Sequence, residues 1–323
     1  MTAGGAADLT LPRASRSSIG SMPERPVGQS DQLDEAAAAF TAVRPRLFGI
    51  AYRMLGSWTE AEDVVQEAWL RWQGTDRTAV LNPSAFLATV TTRLCINLAQ
   101  SARARRETYI GPWLPEPVDT SADPTVGTER GEAIELAVLL LLEKLTPTER
   151  AAYILRESFA YPYPEIAAIL HLSQANTRQL VSRARRHIAS ESSTPVDPTT
   201  HRRLLEAFLR AAQTGNLASL EEILAADVVS YSDANGLARA ARIPVVGRAH
   251  VAAFVVAFRP RFWPGTRTQW VEANGRPGVL ISTGATPLAL LTVSASDEGI
   301  HQLQWLMNPS KLAAFSRSLS RLG

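Results

Sequence analysis

The chain has almost no cysteine: Cys95 is the only one in 323 residues. That excludes an intramolecular disulfide and a cysteine-cluster zinc site, and it suits a reducing compartment. Cys95 itself reads as a small helix-packing residue. No apolar run reaches the roughly 20 residues needed to cross a bilayer, and the N-terminus lacks the apolar segment of a secretory signal, so a cytoplasmic protein is expected. A strong charge imbalance is missing as well. Lys and Arg number 33 against 31 Asp and Glu, so affinity for nucleic acid has to come from local basic patches rather than from the whole field. What is present is ordinary for a folded protein, 46% hydrophobic and 20% charged residues, in a length that suits two or three domains.

Residues 1–33 are rich in Ala, Gly, Ser and Pro without a period and read as a flexible tail. Residues 34–107 are helical. Phe40, Val43, Leu47, Ile50, Ala51 and Met54 form one apolar stripe, in which Pro45 marks either a kink or the true helix start. Ser57 with Glu60 is a capping box opening a second helix through Val64, Val65, Ala68, Trp69 and Trp72, and a third starts near Asn82 and Pro83. Residues 108–130, interrupted by Gly111, Pro112, Pro115, Pro117 and Pro124, form a linker. A second helical block covers 131–190. Thr146, Pro147 and Glu149 start one helix, Pro164 opens a short one, and Ser173 caps a longer basic one after a tight turn, which is helix-turn-helix spacing. After a link at 191–199, residues 200–323 change character. Two amphipathic helices precede a strand at 228–232, a helix-like run covers 250–258, and hairpin signals stand at Asn274-Gly275 and Asp297-Glu298-Gly299. The expected architecture is multidomain: two all-α units followed by an α+β domain built on an antiparallel sheet.

Three surfaces carry chemistry. Asp63, Gln66 and Glu67 share the face opposite Val64, Val65 and Ala68; like charges one turn apart repel, which a basic partner would relieve, although a solvated acidic face also accounts for them. Arg93, Asn97, Gln100, Arg103, Arg105 and Arg106 line the end of the third helix and suit phosphates and unpaired bases, with Tyr109 and Trp113 beyond them either stacking on bases or packing. Gln174, Asn176, Thr177 and Arg178 at the start of the basic helix suit base edges in a major groove, while Arg183, Arg185 and Arg186 suit phosphates. In the last domain Asp227, Asp233, His250 and His301 match no metal or nucleophile spacing, and Asp233-Ala-Asn-Gly236 reads as a turn. No catalytic residue, metal or cofactor is expected, and the chain is read as a non-enzyme.

These stretches together resemble one family. Ala51 to Ser57 and Ala61 to Ala68 look like region 2 of extracytoplasmic-function sigma factors. The helix-turn-helix, with Glu165-Ile-Ala167 and Ser182-Arg-Ala-Arg185, resembles their region 4. Trp113, Leu114, Pro115, Glu116 and Pro117 are similar to the linker motif of the SigJ-like subgroup, whose members carry a SnoaL-like, NTF2-type domain of cone-shaped α+β fold. Asn308, Pro309, Lys311 and Leu312 resemble that subgroup's C-terminal motif, with Ser310 where an Asp is usual, and Asp233 to Gly236 resembles a degraded glycine-rich loop. The resemblance implies that Asp63, Gln66 and Glu67 meet the β′ clamp of core RNA polymerase and that region 4 meets the β flap. It implies that Arg93, Asn97, Gln100, Arg103 and Arg106 face a melted minus-ten element. Gln174, Asn176, Thr177, Arg178, Ser182, Arg183 and Arg186 would read the minus-35 element of promoter DNA. The linker and C-terminal motifs would let the last domain set activity in place of a separate anti-sigma factor, with a small ligand of that domain as a further partner and no membrane. The rival readings are an operator-binding helix-turn-helix regulator and a ligand sensor or enzyme built on the last domain.

Overall fold

The computed structural model describes residues 27–107, 109–120, 135–191, 194, 196–237 and 240–320, with side chains from Leu33 onward except at 102–107, 318 and 320. The first unit is three helices, α1 (Val27–Leu55), α2 (Trp58–Gln73) and α3 (Pro83–Glu107), with a 3₁₀ turn at Arg77–Ala79 between the last two. α1 begins at Val27, inside the stretch read as tail, while residues 1–26 lie outside the described ones. Once Ala36 and Phe40 are packed, each residue added toward the N-terminus costs no new nucleus, so the helix propagates beyond its apolar stripe. Pro45 does not start the helix; α1 runs through it. Ser57 caps α2, its Oγ accepting the Glu60 N–H at 3.2 Å.

The second unit is α4 (Leu136–Glu143), α5 (Pro147–Glu157), α6 (Tyr163–Leu170) and α7 (Gln174–Glu191). Thr146 and Glu149 form the reciprocal capping box expected of α5. His171, with φ 54°, closes α6 in the left-handed conformation, and Ser173 then caps α7 by accepting the Asn176 N–H at 3.2 Å. The two units share one apolar core: Phe48, Ile50 and Met54 of α1 are continuous with Leu142, Ala152 and Leu155 of α4 and α5.

The C-terminal domain contains α8 (Pro198–Thr214), α9 (Leu217–Ile223), β1 (Leu224–Asp233), β2 (Val245–Val246), α10 (Arg248–Phe262), β3 (Thr266–Ala273), β4 (Arg276–Thr283), β5 (Thr286–Ser296), β6 (Gly299–Leu306) and α11 (Pro309–Ser320). Asp197 caps α8 and Pro198 takes its first turn, so the link is shorter than the Ser/Thr/Pro composition implied. Sheet order is β2-β1-β6-β5-β4-β3. The sheet is mixed, not antiparallel throughout: β1 runs parallel to β6. The two-residue turn Asn274-Gly275, with φ 53° and 73°, joins β3 and β4 as the hairpin signal requires.

Side-chain alternation divides this sheet between two cores. Val279, Ile281, Leu291, Val293, Leu303 and Trp305 face α8 and α10. Leu280, Leu290 and Leu306 face the other way, onto Leu312 and Phe315 of α11, Leu140 of α4 and Leu114 of the linker. The second face is therefore where the helical units and the C-terminal domain meet.

Candidate functional site

On α2, Asp63 and Gln66 are exposed and Glu67 is half-buried. Arg71, one turn on, pairs with Glu67 at 2.8 Å, so part of the expected repulsion is relieved within the helix. On α3, Asn97 and Gln100 are exposed. Arg93 is not turned to solvent: its Nε donates to the Ile169 carbonyl at the end of α6, at 3.1 Å, an attachment between units that spacing on one helix cannot reveal. The side chains of Arg103, Arg105 and Arg106 lie outside the described residues. Cys95 is buried, and burial pushes its thiol well above the usual range.

On α7, Gln174, Asn176, Arg178, Ser182, Arg183, Arg185 and Arg186 are exposed on one side. Thr177 is fully buried and its hydroxyl donates to the Ser173 carbonyl at 3.0 Å, so it belongs to the helix start and is not a base reader in this arrangement. Arg183 lies 3.3 Å from Glu149 and Arg185 2.6 Å from Glu157.

Three arginines cross from α1 and α5 between the units. Arg150 is 4% exposed; its Nη1 donates to the Met54 carbonyl at 2.6 Å and to Glu143 at 2.7 Å. Arg46 donates to the Phe159 carbonyl at 2.9 Å and lies 4.4 Å over Tyr161, and Arg53 lies 4.9 Å over Phe159.

The linker carries the densest set of contacts. The Glu116 carboxylate accepts the Trp58 and Thr59 N–H groups at 2.8 and 3.3 Å, capping α2 from outside. The Glu116 N–H bonds to the Gly56 carbonyl at 2.7 Å, and the Tyr52 hydroxyl donates to the Glu116 carbonyl at 2.6 Å. Burial raises the Tyr52 pKa well above its ordinary value, so it is a neutral donor. Trp113 packs where a Cβ on Gly56 would come within 2.9 Å of its ring, which, with φ +64°, makes glycine the residue that fits there.

The C-terminal domain grips the same segment at two points. Asn274 accepts the Val118 N–H at 2.8 Å, donates its own N–H to the Val118 carbonyl at 2.9 Å, and donates its amide to Tyr52 at 3.0 Å. Asp233 is fully buried and accepts from the Leu114 N–H at 2.9 Å, from Lys311 at 2.7 Å and from the Tyr109 hydroxyl. Lys311, 8% exposed, also donates to the Leu114 carbonyl and lies 4.3 Å over Trp113. Asn308 donates to the Tyr109 hydroxyl at 2.8 Å. Tyr109 and Trp113 thus pack rather than present faces to bases, and Asp233 is far more than a turn residue. Among the described residues Ser310 only donates its backbone N–H to Asn308, so the departure from the usual Asp leaves these linker contacts in place. Pro115 and Pro117 are buried with Leu114.

His250 is exposed. His301 lies between Asp227, at 3.4 Å, and Ser296, whose Oγ also accepts the Glu298 N–H at 3.1 Å within the β5–β6 turn. His301 and Asp227 border a cleft of about 630 Å³ between α4 and the sheet, together with His201, Arg276 and Tyr231. An aromatic cavity of about 30 Å³, lined by Phe254, Phe258, Phe262, Trp263 and Trp305, lies between α10 and the sheet.

His201 is buried, with Nε2 at 3.0 Å from the Val293 carbonyl, and burial lowers its pKa despite that bond. A neutral histidine that charges on unfolding contributes stability that is complete above its unfolded pKa, about 6.5, and is lost as pH falls from there through the lowered folded value. Thermal unfolding between neutral and acid pH should therefore be steeper in pH for the parent chain than for His201→Gln, by up to about 1.4 kcal/mol per pH unit.

Residues 39–106 match the family described as Sigma-70 region 2, and residues 135–188 match Sigma-70, region 4. The chain is 39% identical over 247 residues to the ECF RNA polymerase sigma factor SigJ of Mycobacterium tuberculosis (strain ATCC 25618 / H37Rv), covering 74% of this chain and 78% of that one. It is 33% identical over 287 residues to the probable ECF RNA polymerase sigma factor SigI of the same strain, covering 87% and 96%. The crystal structure of Mycobacterium tuberculosis extracytoplasmic function sigma factor SigJ superposes with a TM-score of 0.69 at 33% identity, covering 86% of this chain and 98% of that one. Two helical units matched in order to sigma regions, followed by the same kind of sheet domain, leave one assignment: the chain belongs to the extracytoplasmic-function family of RNA polymerase sigma factors.

Proposed function

We propose that this chain binds core RNA polymerase through the α2 face bearing Asp63, Gln66 and Glu67, and reads two promoter elements, one with α3 and one with α7. Its C-terminal domain sets when it does so. The observation that carries the control is the linker, whose residues 113–118 are hydrogen-bonded to α1 and α2 on one side and to Asp233, Asn274 and Lys311 on the other.

Geometry supports a restraining role. Elements centred at minus 10 and minus 35 are separated by about 25 base pairs, or roughly 85 Å along a duplex at 3.4 Å per base pair. With Arg93 bonded to Ile169, and α7 starting five residues later, the near ends of the two reading surfaces, Arg93 and Gln174, lie within about 30 Å of each other. The closed arrangement cannot occupy both elements at once, so the units have to part when promoter is bound. The domain that holds the linker against α1 and α2 favours the closed state. None of this is catalytic, in keeping with relatives that are sigma factors.

Reversing Asp63 and Glu67 to Lys tests the polymerase face. In transcription with purified core polymerase on a promoter upstream of the chain's own gene, the parent should give start-specific transcripts and the double variant should lose them together with core binding, by tenfold or more. A variant that kept DNA affinity and never needed core enzyme would instead identify an operator-binding regulator.

A further inference from the structure

Charge is distributed unevenly along the chain. Residues 198–323 contain thirteen Arg and Lys against eight Asp and Glu, while the chain as a whole is only +2. The part holding the promoter-reading helices is therefore net negative and the C-terminal domain is the positive one. Several arginines elsewhere find carboxylates, as Arg44 does Glu62, Arg71 Glu67, Arg185 Glu157 and Arg276 Glu135. On the helix side of the C-terminal domain they do not. Arg202, Arg203 and Arg210 of α8 and Arg259 and Arg261 of α10 are exposed, and among the described residues none forms an ion pair.

These elements are tied into one surface running along α8. Arg202 lies 4.3 Å over Trp270 of β3 near the start of α8, and Arg259 Nε donates to the Gln213 carbonyl at 2.7 Å near its end. Arg261 stands one residue before the end of α10 at Phe262. α8 and α10 cover the sheet face opposite the one that meets the linker, so docking of the linker does not cover or neutralise them.

We propose that this arginine surface holds the phosphate backbone of duplex DNA immediately upstream of the element read by α7. This rests on the reading of α7 as a promoter-reading helix. α7 ends at Glu191 and α8 starts at Pro198, and the six residues between them span at most about 20 Å, so DNA held by α7 has the domain tethered beside it. Guanidinium groups suit phosphate oxygens, and no base-reading element accompanies them, so the contact is independent of sequence.

The test uses the full chain in holoenzyme and two fragments of a responsive promoter, one ending just upstream of the minus-35 element and one carrying about 20 further base pairs of arbitrary sequence. The longer fragment should bind about tenfold more tightly, with a log–log salt slope steeper by about 3 to 4. Arg203→Gln, Arg210→Gln and Arg261→Gln combined should abolish the difference while leaving the short fragment bound as before, and the corresponding three Lys substitutions should restore it. Equal binding of both fragments by the parent overturns the proposal. So does a loss in the Gln variant that single-stranded RNA reproduces by competition and that is the same on both fragments, which would assign the surface to transcript. Holoenzyme that binds neither fragment overturns the promoter reading beneath it.

Discussion

Asp233→Ala is expected to undo the linker junction at a cost of about 3 to 5 kcal/mol, because it leaves the Lys311 ammonium buried without its carboxylate and strips the Leu114 N–H and the Tyr109 hydroxyl of their acceptor. Hydrogen exchange across residues 109–120 should rise in the full chain, with the helical units keeping their protection. Transcript yield at equal protein concentration should increase, since a released linker lets the units part. A fall in yield with the same loosening would show that the junction supports initiation instead of restraining it. Pairing the change with Lys311→Met should recover most of the lost stability, because removing both charges costs far less than orphaning one.

Arg150→Met should open the helical units from the other side. The guanidinium joins the Met54 carbonyl of α1 to Glu143 of α4 while almost fully buried, and the substitution removes both bonds, at about 2 to 4 kcal/mol. Met retains the apolar stem, which separates the polar loss from lost packing. The expected result is a lower unfolding midpoint for the helical part, with the sheet domain melting as before, and tighter binding of holoenzyme to a promoter carrying both elements. Unchanged promoter affinity in a chain that does melt earlier would mean that the closed packing of the helices does not limit promoter access.

Local chemistry was readable wherever its partners were close in sequence. Thr146 and Glu149 cap each other three residues apart, Ser173 caps the helix it precedes, and Asn274-Gly275 requires only its own φ angles. The same reading fails where the partner is remote. Asp233 resembles a turn residue until Leu114, 119 positions away, and Lys311, 78 positions away, are brought to it by β1 and α11. Asn274 makes its turn and also holds Val118 and Tyr52, and no spacing rule contains the second role. Thr177 fits a base-reading pattern by composition, yet the helical period turns it inward. The parallel pairing of β1 with β6 was hidden because alternation along a strand is the same whichever way its neighbour runs.

The order in which the junction is completed has a consequence in time. Asp233 is synthesised 78 residues before Lys311, and α4 to α7 are finished well before either. At about 5 to 20 residues per second, the helical units exist for at least roughly 4 to 16 s with the linker ungripped. Under the proposed restraint, every newly made molecule passes through a brief unrestrained youth, and a cell that made this protein in a burst would hold the largest open fraction during the burst itself, before ageing of the same molecules closed it.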